Sequence, residues 1–157
     1  MNKMPPIEKI YEAYSAVADN RVVIGNNSAK VASSNHAKEY IVTWKDDIYT
    51  SNDNGSYWSG YAGYPMIAVM MLQGKLKLNR SIAEYFKGIN WTEINAKYKA
   101  KYAKAVAEIM DELKANGIDC DAINKNVNEV YKQIELLDIS CKRSSTRPPK
   151  SSSEKKE

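Results

Sequence analysis

Tyr40-Ile41-Val42-Thr43-Trp44-Lys45-Asp46-Asp47-Ile48-Tyr49-Thr50 is the stretch that decides the fold class. β-Branched and aromatic residues fill 40–44 and 48–50, and Lys45-Asp46-Asp47 supplies turn chemistry between them. Two antiparallel strands joined by a tight hairpin are therefore predicted. Upstream, Ser33-Ser34-Asn35-His36 reads as another turn, Ala29 to Ala32 as a strand, Gly25-Asn26-Asn27 as a turn and Val22 to Ile24 as a further β-branched segment. The sum is an antiparallel meander of three strands, or four with Val22–Ile24, packing helices on one face and meeting water on the other.

Helical periodicity flanks this meander on both sides. Ile7, Ile10, Tyr11, Tyr14, Val17 and Ala18 form one apolar stripe, with Pro5 and Pro6 suited to the helix entry. Downstream, Met66 to Leu72 is apolar all round, the pattern of a helix buried on most sides, and Gly74 closes it. Asn79 caps a short helix carrying Ile82, Ala83, Tyr85 and Phe86, which stops at Gly88. Asn90-Trp91-Thr92-Glu93 has the form of a capping box and opens one long amphipathic helix to about Ala115. Its inward positions are Trp91, Ile94, Tyr98, Tyr102, Ala105, Ile109 and Leu113. Asn116-Gly117-Ile118 ends it, and Asp121 starts a last helix with Ile123, Val127, Val130, Tyr131, Ile134 and Leu137 inward. The fold class is α+β: an N-terminal helix, a small meander, four helices and a loose tail.

The formal charge of +4 is placed unevenly. Lys142, Arg143, Arg147, Lys150, Lys155 and Lys156 outnumber Glu154 and Glu157 by that whole excess, so residues 1–141 are neutral. Residues 142–157 also lack large apolar side chains, carry serines and two adjacent prolines, and read as a disordered basic tail after one globular domain, 1–141. The N-terminus has no apolar run of leader length, and Met66 to Leu72 is too short to span a bilayer. A cytoplasmic protein without membrane contact is expected. Cys120 and Cys141, far apart and outside any C-x-x-C pattern, read as two thiols.

With one histidine, His36, in a turn of small polar residues, histidine-based metal sites and triads are disfavoured. Asp46, Asp47 and Asp53 cluster around the 48–50 strand, but aspartate in turns serves the backbone first. No phosphate-binding G-x-x-x-x-G-K-[ST], dinucleotide G-x-G-x-x-G or G-x-S-x-G elbow occurs. No cofactor and no metal are expected, and a binding protein is favoured over an enzyme. The segment 51–65, SNDNGSYWSGYAGYP, mixes turn residues with rigid aromatics, and Tyr57, Trp58 and Tyr61 are its candidate contacts for a protein or small-ligand partner.

Nucleic-acid binding is the alternative. Lys97, Lys101 and Lys104 share a stripe opposite the apolar arc, and Lys142, Arg143 and Arg147 lie in the basic tail. Residues 82–94, IAEYFKGINWTEI, also resemble a helix-turn-helix core, with Ala83, Gly88 and Ile94 echoing that family's small, turn and apolar positions at spacings one residue too long. The resemblance implies that Thr92, Asn95 and Lys99 face a DNA groove.

Overall fold

Four antiparallel strands and one parallel strand make a single sheet in the computed structural model, which describes residues 1 and 3–150. β1 (Val22–Ile24), β2 (Ser28–Ala32), β3 (Glu39–Lys45) and β4 (Ile48–Ser51) form the meander in sequence order. The alternation in the sequence sets the faces. Ala29, Val31, Val42 and Tyr49 point into the core, whereas Val23, Lys30, Lys45 and Ile48 are exposed. Trp44 and Tyr49 are register partners whose rings stack at 6.1 Å, and the hydroxyls of Thr43 and Thr50 bond across the same hairpin. Asp46 takes the left-handed conformation of the turn, with φ 54°.

The sheet has a strand the sequence pattern does not announce. β5 (Ser140–Cys141) runs parallel to β4, with Ser140 N–H donating to Asp47 O and Lys142 N–H to Tyr49 O, both at 2.8 Å. Two residues carry too short a pattern to be read as a strand, and the neighbouring edge supplies their order. Residues 142–150 of the stretch expected to be loose also make contacts. Arg143 Nε donates to Tyr57 O at 3.1 Å, Asn52 Nδ2 to Arg147 O at 3.2 Å, and Ser144 is buried. Residues 151–157 of that expected tail lie outside the described residues.

α1 (Lys9–Ala18) is buried from Lys9 to Val17, not along one stripe only. Its neighbours explain this: α2 (Tyr64–Leu72) packs one side, and α3 (Arg80–Glu84) and the last helix pack others. Small residues Ala13, Ser15 and Ala16 let these elements approach closely. α2 buries everything from Pro65 to Met71, as its all-apolar sequence requires. Asn79 and Asn90 cap their helices as expected, accepting from Ile82 N–H and Glu93 N–H at 3.1 Å each. Gly88 and Gly117 stop helical segments at φ 78° and 80°, where a β-carbon is disfavoured.

The single long helix is corrected to two, so five α-helices follow the meander among the described residues. α4 (Trp91–Lys97) and α5 (Tyr102–Ala115) are separated at Lys99 and Ala100, which adopt φ 52° and 61°. Helix propensity runs straight through these residues. Tertiary context overrides propensity here, and the break leaves Tyr102 beneath the Lys9 ammonium, 3.8 Å from its ring centroid. Asp119, not Asp121, caps α6 (Cys120–Leu136), its carboxylate accepting from Ala122 N–H at 3.1 Å. Both cysteines are free thiols.

The break has a measurable signature. Alanine in the left-handed region costs roughly 1–2 kcal/mol, which glycine escapes while losing about 0.5–1 kcal/mol in unfolded-state entropy. Ala100→Gly is therefore expected to raise stability by up to about 1.5 kcal/mol in urea unfolding. A loss of about 1 kcal/mol, as for glycine inside a helix, would mean that the helix is continuous.

Candidate functional site

A cleft of about 320 Å³ opens where α1, the end of β4, the β2–β3 hairpin and α4 meet. α1 contributes Lys9 and Glu12 from its polar side. Glu12 is only 5% exposed, and Lys9 Nζ stands 3.1 Å from its Oε2. Arg21, 4% exposed, follows α1 directly. Its Nε donates to Asp19 Oδ2 at 3.1 Å and its Nη1 to Ala32 O at 2.6 Å, which holds the guanidinium against the ring of Tyr64. Asp53, one residue past Asn52 at the end of β4, is pinned by the Ser51 hydroxyl and by Ser56 N–H.

The far wall is α4. Trp91 Nε1 donates to Ser15 Oγ at 2.7 Å, and Ser15 Oγ donates on to Phe86 O, so the indole locks α4 onto α1. Ser34 from the hairpin loop accepts from Trp91 N–H at 2.8 Å and Thr92 N–H at 3.3 Å. This anchoring turns Asn95 inward, and its Nδ2 donates to Glu12 Oε1 at 3.2 Å. Tyr40 and Tyr64, edge to face at 6.2 Å, complete the aromatic lining.

Buried polar atoms without hydrogen bonds are concentrated in residues of this cleft. Among the described residues, four buried side-chain N or O atoms have no hydrogen-bond partner, and three of them belong to cleft residues: Glu12 Oε2, Arg21 Nη2 and Asn95 Oδ1. Of these, Glu12 Oε2 is ion-paired with the Lys9 ammonium at 3.1 Å. The fourth atom is Asn126 Oδ1 on α6, whose amide donates to the Tyr14 hydroxyl. A buried group left wholly unpaired costs about 1–3 kcal/mol, a penalty that falls on Arg21 Nη2 and Asn95 Oδ1 and that the Lys9 ion pair offsets at Glu12.

Burial pushes the Glu12 carboxyl above the ordinary carboxylate value, against the opposing pull of the Lys9 ammonium and the Asn95 amide. Burial likewise raises Tyr40 to about 12 and raises Tyr64 further, so both phenols keep their protons at neutral pH. The Glu12 shift has a definite sign in stability. The unfolded chain releases this proton near 4.5 and the native chain only above it, so the native state binds more protons in that window. The advantage is complete below 4.5 and is lost as pH rises through the native value. In urea unfolding across pH, the free energy of the wild type minus that of Glu12→Gln is expected to fall through this window. A pH-independent difference would show that Glu12 titrates as in the unfolded chain.

The residues expected from sequence are distributed differently. Tyr57 and Trp58 lie on the single π-helical turn Gly55–Ser59 and face away from the cleft, toward Arg143, whose guanidinium sits 5.1 Å and 5.9 Å from their ring centroids. Trp58 is 61% exposed. Tyr61 is half-buried, near enough to Lys9 to feel its charge. The same segment gives the cleft Asp53, Asn54 and Gly55. Of the basic face, Lys97 is paired with Glu108, while Lys99, Lys101 and Lys104 are exposed. Thr92 and Asn95 line the cleft. In the tail, Lys142, Arg143 and Arg147 are exposed at the β5 end.

Asp46 and Asp47 sit in the β3–β4 turn, at the opposite end of β4 from Asp53, and His36 is exposed in its own turn at φ 60°. No cluster of three or more metal-ligating His, Cys, Asp or Glu side chains occurs among the described residues. No helix there is long and apolar enough to cross a membrane.

Lys9, Glu12 and Arg21 were not legible as site residues. Polar positions on an amphipathic helix read as its solvent face, and only the placement of α4 and the β2–β3 hairpin beside that face turns it into a cleft. A family model described as "Uncharacterised conserved protein UCP014422" matches residues 2–140. The chain belongs to this family. The UCP014422 match spans every residue that lines the cleft and stops at Ser140, before residues 142–150. No curated protein and no solved structure matches the chain.

Proposed function

We propose that this UCP014422 member is a small-molecule-binding protein whose site is the cleft between α1 and α4. The observation that carries this reading is that Glu12, Arg21 and Asn95, which hold three of the four buried side-chain atoms without a hydrogen bond among the described residues, all line one cavity. A few charged and polar side chains gathered in one cleft are what gives a small ligand its affinity and orientation. The cavity lies at the small end of the range for ligand pockets, which suits a compact polar molecule over a polymer. The aromatic segment serves this site through Asp53, Asn54 and Gly55. Its Tyr57–Trp58–Arg143 cluster supports a second, smaller reading as a partner-protein contact, because Trp58 is well exposed there.

The test is a melting screen against a library of compact polar compounds, run on the wild type and on Asn95→Ala. A ligand at about 100 times its Kd adds about 2.7 kcal/mol of stability. At roughly 2–4 °C per kcal/mol for a chain of this size, the melting temperature of the wild type should rise by about 5–10 °C. Asn95→Ala should respond much less. Hits that stabilise both proteins equally would place binding elsewhere and overturn the cleft reading.

A further inference from the structure

We infer that the exposed surface around Trp58 takes a single strand of nucleic acid, in preference to the protein partner considered for it above and independently of the cleft. Two parts of the sequence that stand out for different reasons meet here: the aromatic segment 51–65 and the basic run after Cys141. β5 joins them. It pairs parallel to β4, with Ser140 opposite Ile48 and Cys141 opposite Tyr49, and so sends the chain toward the end of β4 from which the aromatic segment leaves. Arg143 Nε then donates to Tyr57 O at 3.1 Å, and Arg147 O accepts from Asn52 Nδ2 at 3.2 Å. The Arg143 guanidinium stands 5.1 Å from the Tyr57 ring centroid and 5.9 Å from that of Trp58. Its Nη1 and Nη2 make no hydrogen bond among the described residues.

The exposed charge of these two segments is of one sign. Segments 51–65 and 139–150 hold Lys142, Arg143, Arg147 and Lys150, all exposed, against the single carboxylate of Asp53, which is buried against the Ser51 hydroxyl and Ser56 N–H. Asp46, Asp47 and Asp138 lie toward the other end of β4 and β5. Cations alone would suit any polyanion, and the indole decides among them. Trp58 is the one large apolar side chain exposed on these segments among the described residues, and the exposed Asn54, Ser59, Gly60, Ser145 and Thr146 are small or polar. A bilayer or a protein interface calls for a wider apolar patch than one indole. A nucleobase needs only a ring face, and the phosphates beside it need the cations. Bases in a duplex are covered on both faces by their neighbours, so the fit is to an unpaired strand. Tyr57, edge to face with Trp58 at 4.7 Å, steadies the indole for stacking.

The experiment is fluorescence anisotropy of labelled oligothymidylate and oligouridylate, about 15 nucleotides long, titrated with the full chain from about 50 mM salt upward. Polyglutamate and vesicles of equal parts phosphatidylserine and phosphatidylcholine are tested in parallel. At least one of the two strands is expected to bind, with log K falling against log salt at a slope of about −2, as three phosphate contacts on a single strand imply. Trp58→Ala should weaken binding about tenfold or more with the slope unchanged, and Trp58→Phe should restore most of it. Lys142→Ala should flatten the slope by about 0.7. Both side chains are exposed, so unchanged melting temperatures are expected to show that the variants keep the fold. Asn95→Ala, altered in the cleft, should bind the strands as the wild type does. A loss in Asn95→Ala that Trp58→Ala does not share would move the strand to the cleft and overturn the assignment to Trp58. Tighter binding of vesicles or polyglutamate than of either strand would make the partner a membrane or an acidic protein. Equal binding by wild type and Trp58→Ala, or no strand bound at about 50 mM salt, would also overturn the inference while leaving the cleft reading untouched.

Discussion

Gly63→Ala should destabilise the protein by about 3–5 kcal/mol, far more than alanine at any exposed glycine. The backbone at Gly63, φ −70° and ψ 171°, suits any residue, so the loss is steric and not conformational. A β-carbon there would stand 2.7 Å from Asp53 Cγ and 2.9 Å from Oδ1, and nearer still to Oδ2. Asp53 is 6% exposed and is held by the Ser51 hydroxyl and Ser56 N–H. To make room, the carboxylate must give up those bonds, each worth about 1.5–3 kcal/mol to a charged acceptor, or the core must absorb about 1–3 kcal/mol of overpacking.

Two controls separate this from a generic glycine effect. Gly60 has open space but φ 76°, so Gly60→Ala should cost only the left-handed penalty of roughly 1–2 kcal/mol. In an Asp53→Ala background the clash partner is gone, and Gly63→Ala should become much cheaper. Urea unfolding of the four proteins in this cycle gives the coupling directly. Additive costs would mean that Gly63 and Asp53 do not meet.

The second large effect is expected at Trp91. It is 4% exposed and joins α4 to α1 through the Ser15 hydroxyl. Trp91→Ala should cost about 3–5 kcal/mol, the usual range for emptying a buried aromatic site. Trp91→Phe retains most of the apolar contact but loses the N–H, leaving Ser15 Oγ with its single bond to Phe86 O. Its cost should be about 1–2 kcal/mol, close to that of one buried hydrogen bond. The difference also reaches the site, because Asn95 lies one helical turn beyond Trp91 and owes its inward direction to this anchor. Denaturation midpoints of both variants, read with the Asn95 side-chain amide signal, check the two parts together. Equal losses in both would show that volume alone holds α4.

Much of the architecture was legible because local and global preferences agree there. Period-two alternation with Lys45-Asp46-Asp47 between its halves leaves one hairpin register, and Asn79 and Asn90 mark helix starts by side-chain chemistry alone. The division at Lys99–Ala100 was not legible, since both residues favour helix and the apolar spacing continues across them. The candidate site was legible only in fragments. Asp53 looked like a neighbour of Asp46 and Asp47, yet β4, Ile48–Ser51, spans about 13 Å and carries it to the other end of the sheet. Asn95 was noted, but on an outward face. Its direction depends on Ser15 and Ser34, which lie about 60–80 residues away in sequence.

β5 carries a consequence for the order of events during synthesis. Ile48 and Tyr49 find their parallel partners Ser140 and Cys141 only after about 90 further residues have been made. Throughout that interval the meander exposes an open backbone edge on the side where Ile48 also faces water. Translation speed and chaperone supply over the α5–α6 coding region should therefore govern how much of the newly made chain escapes aggregation.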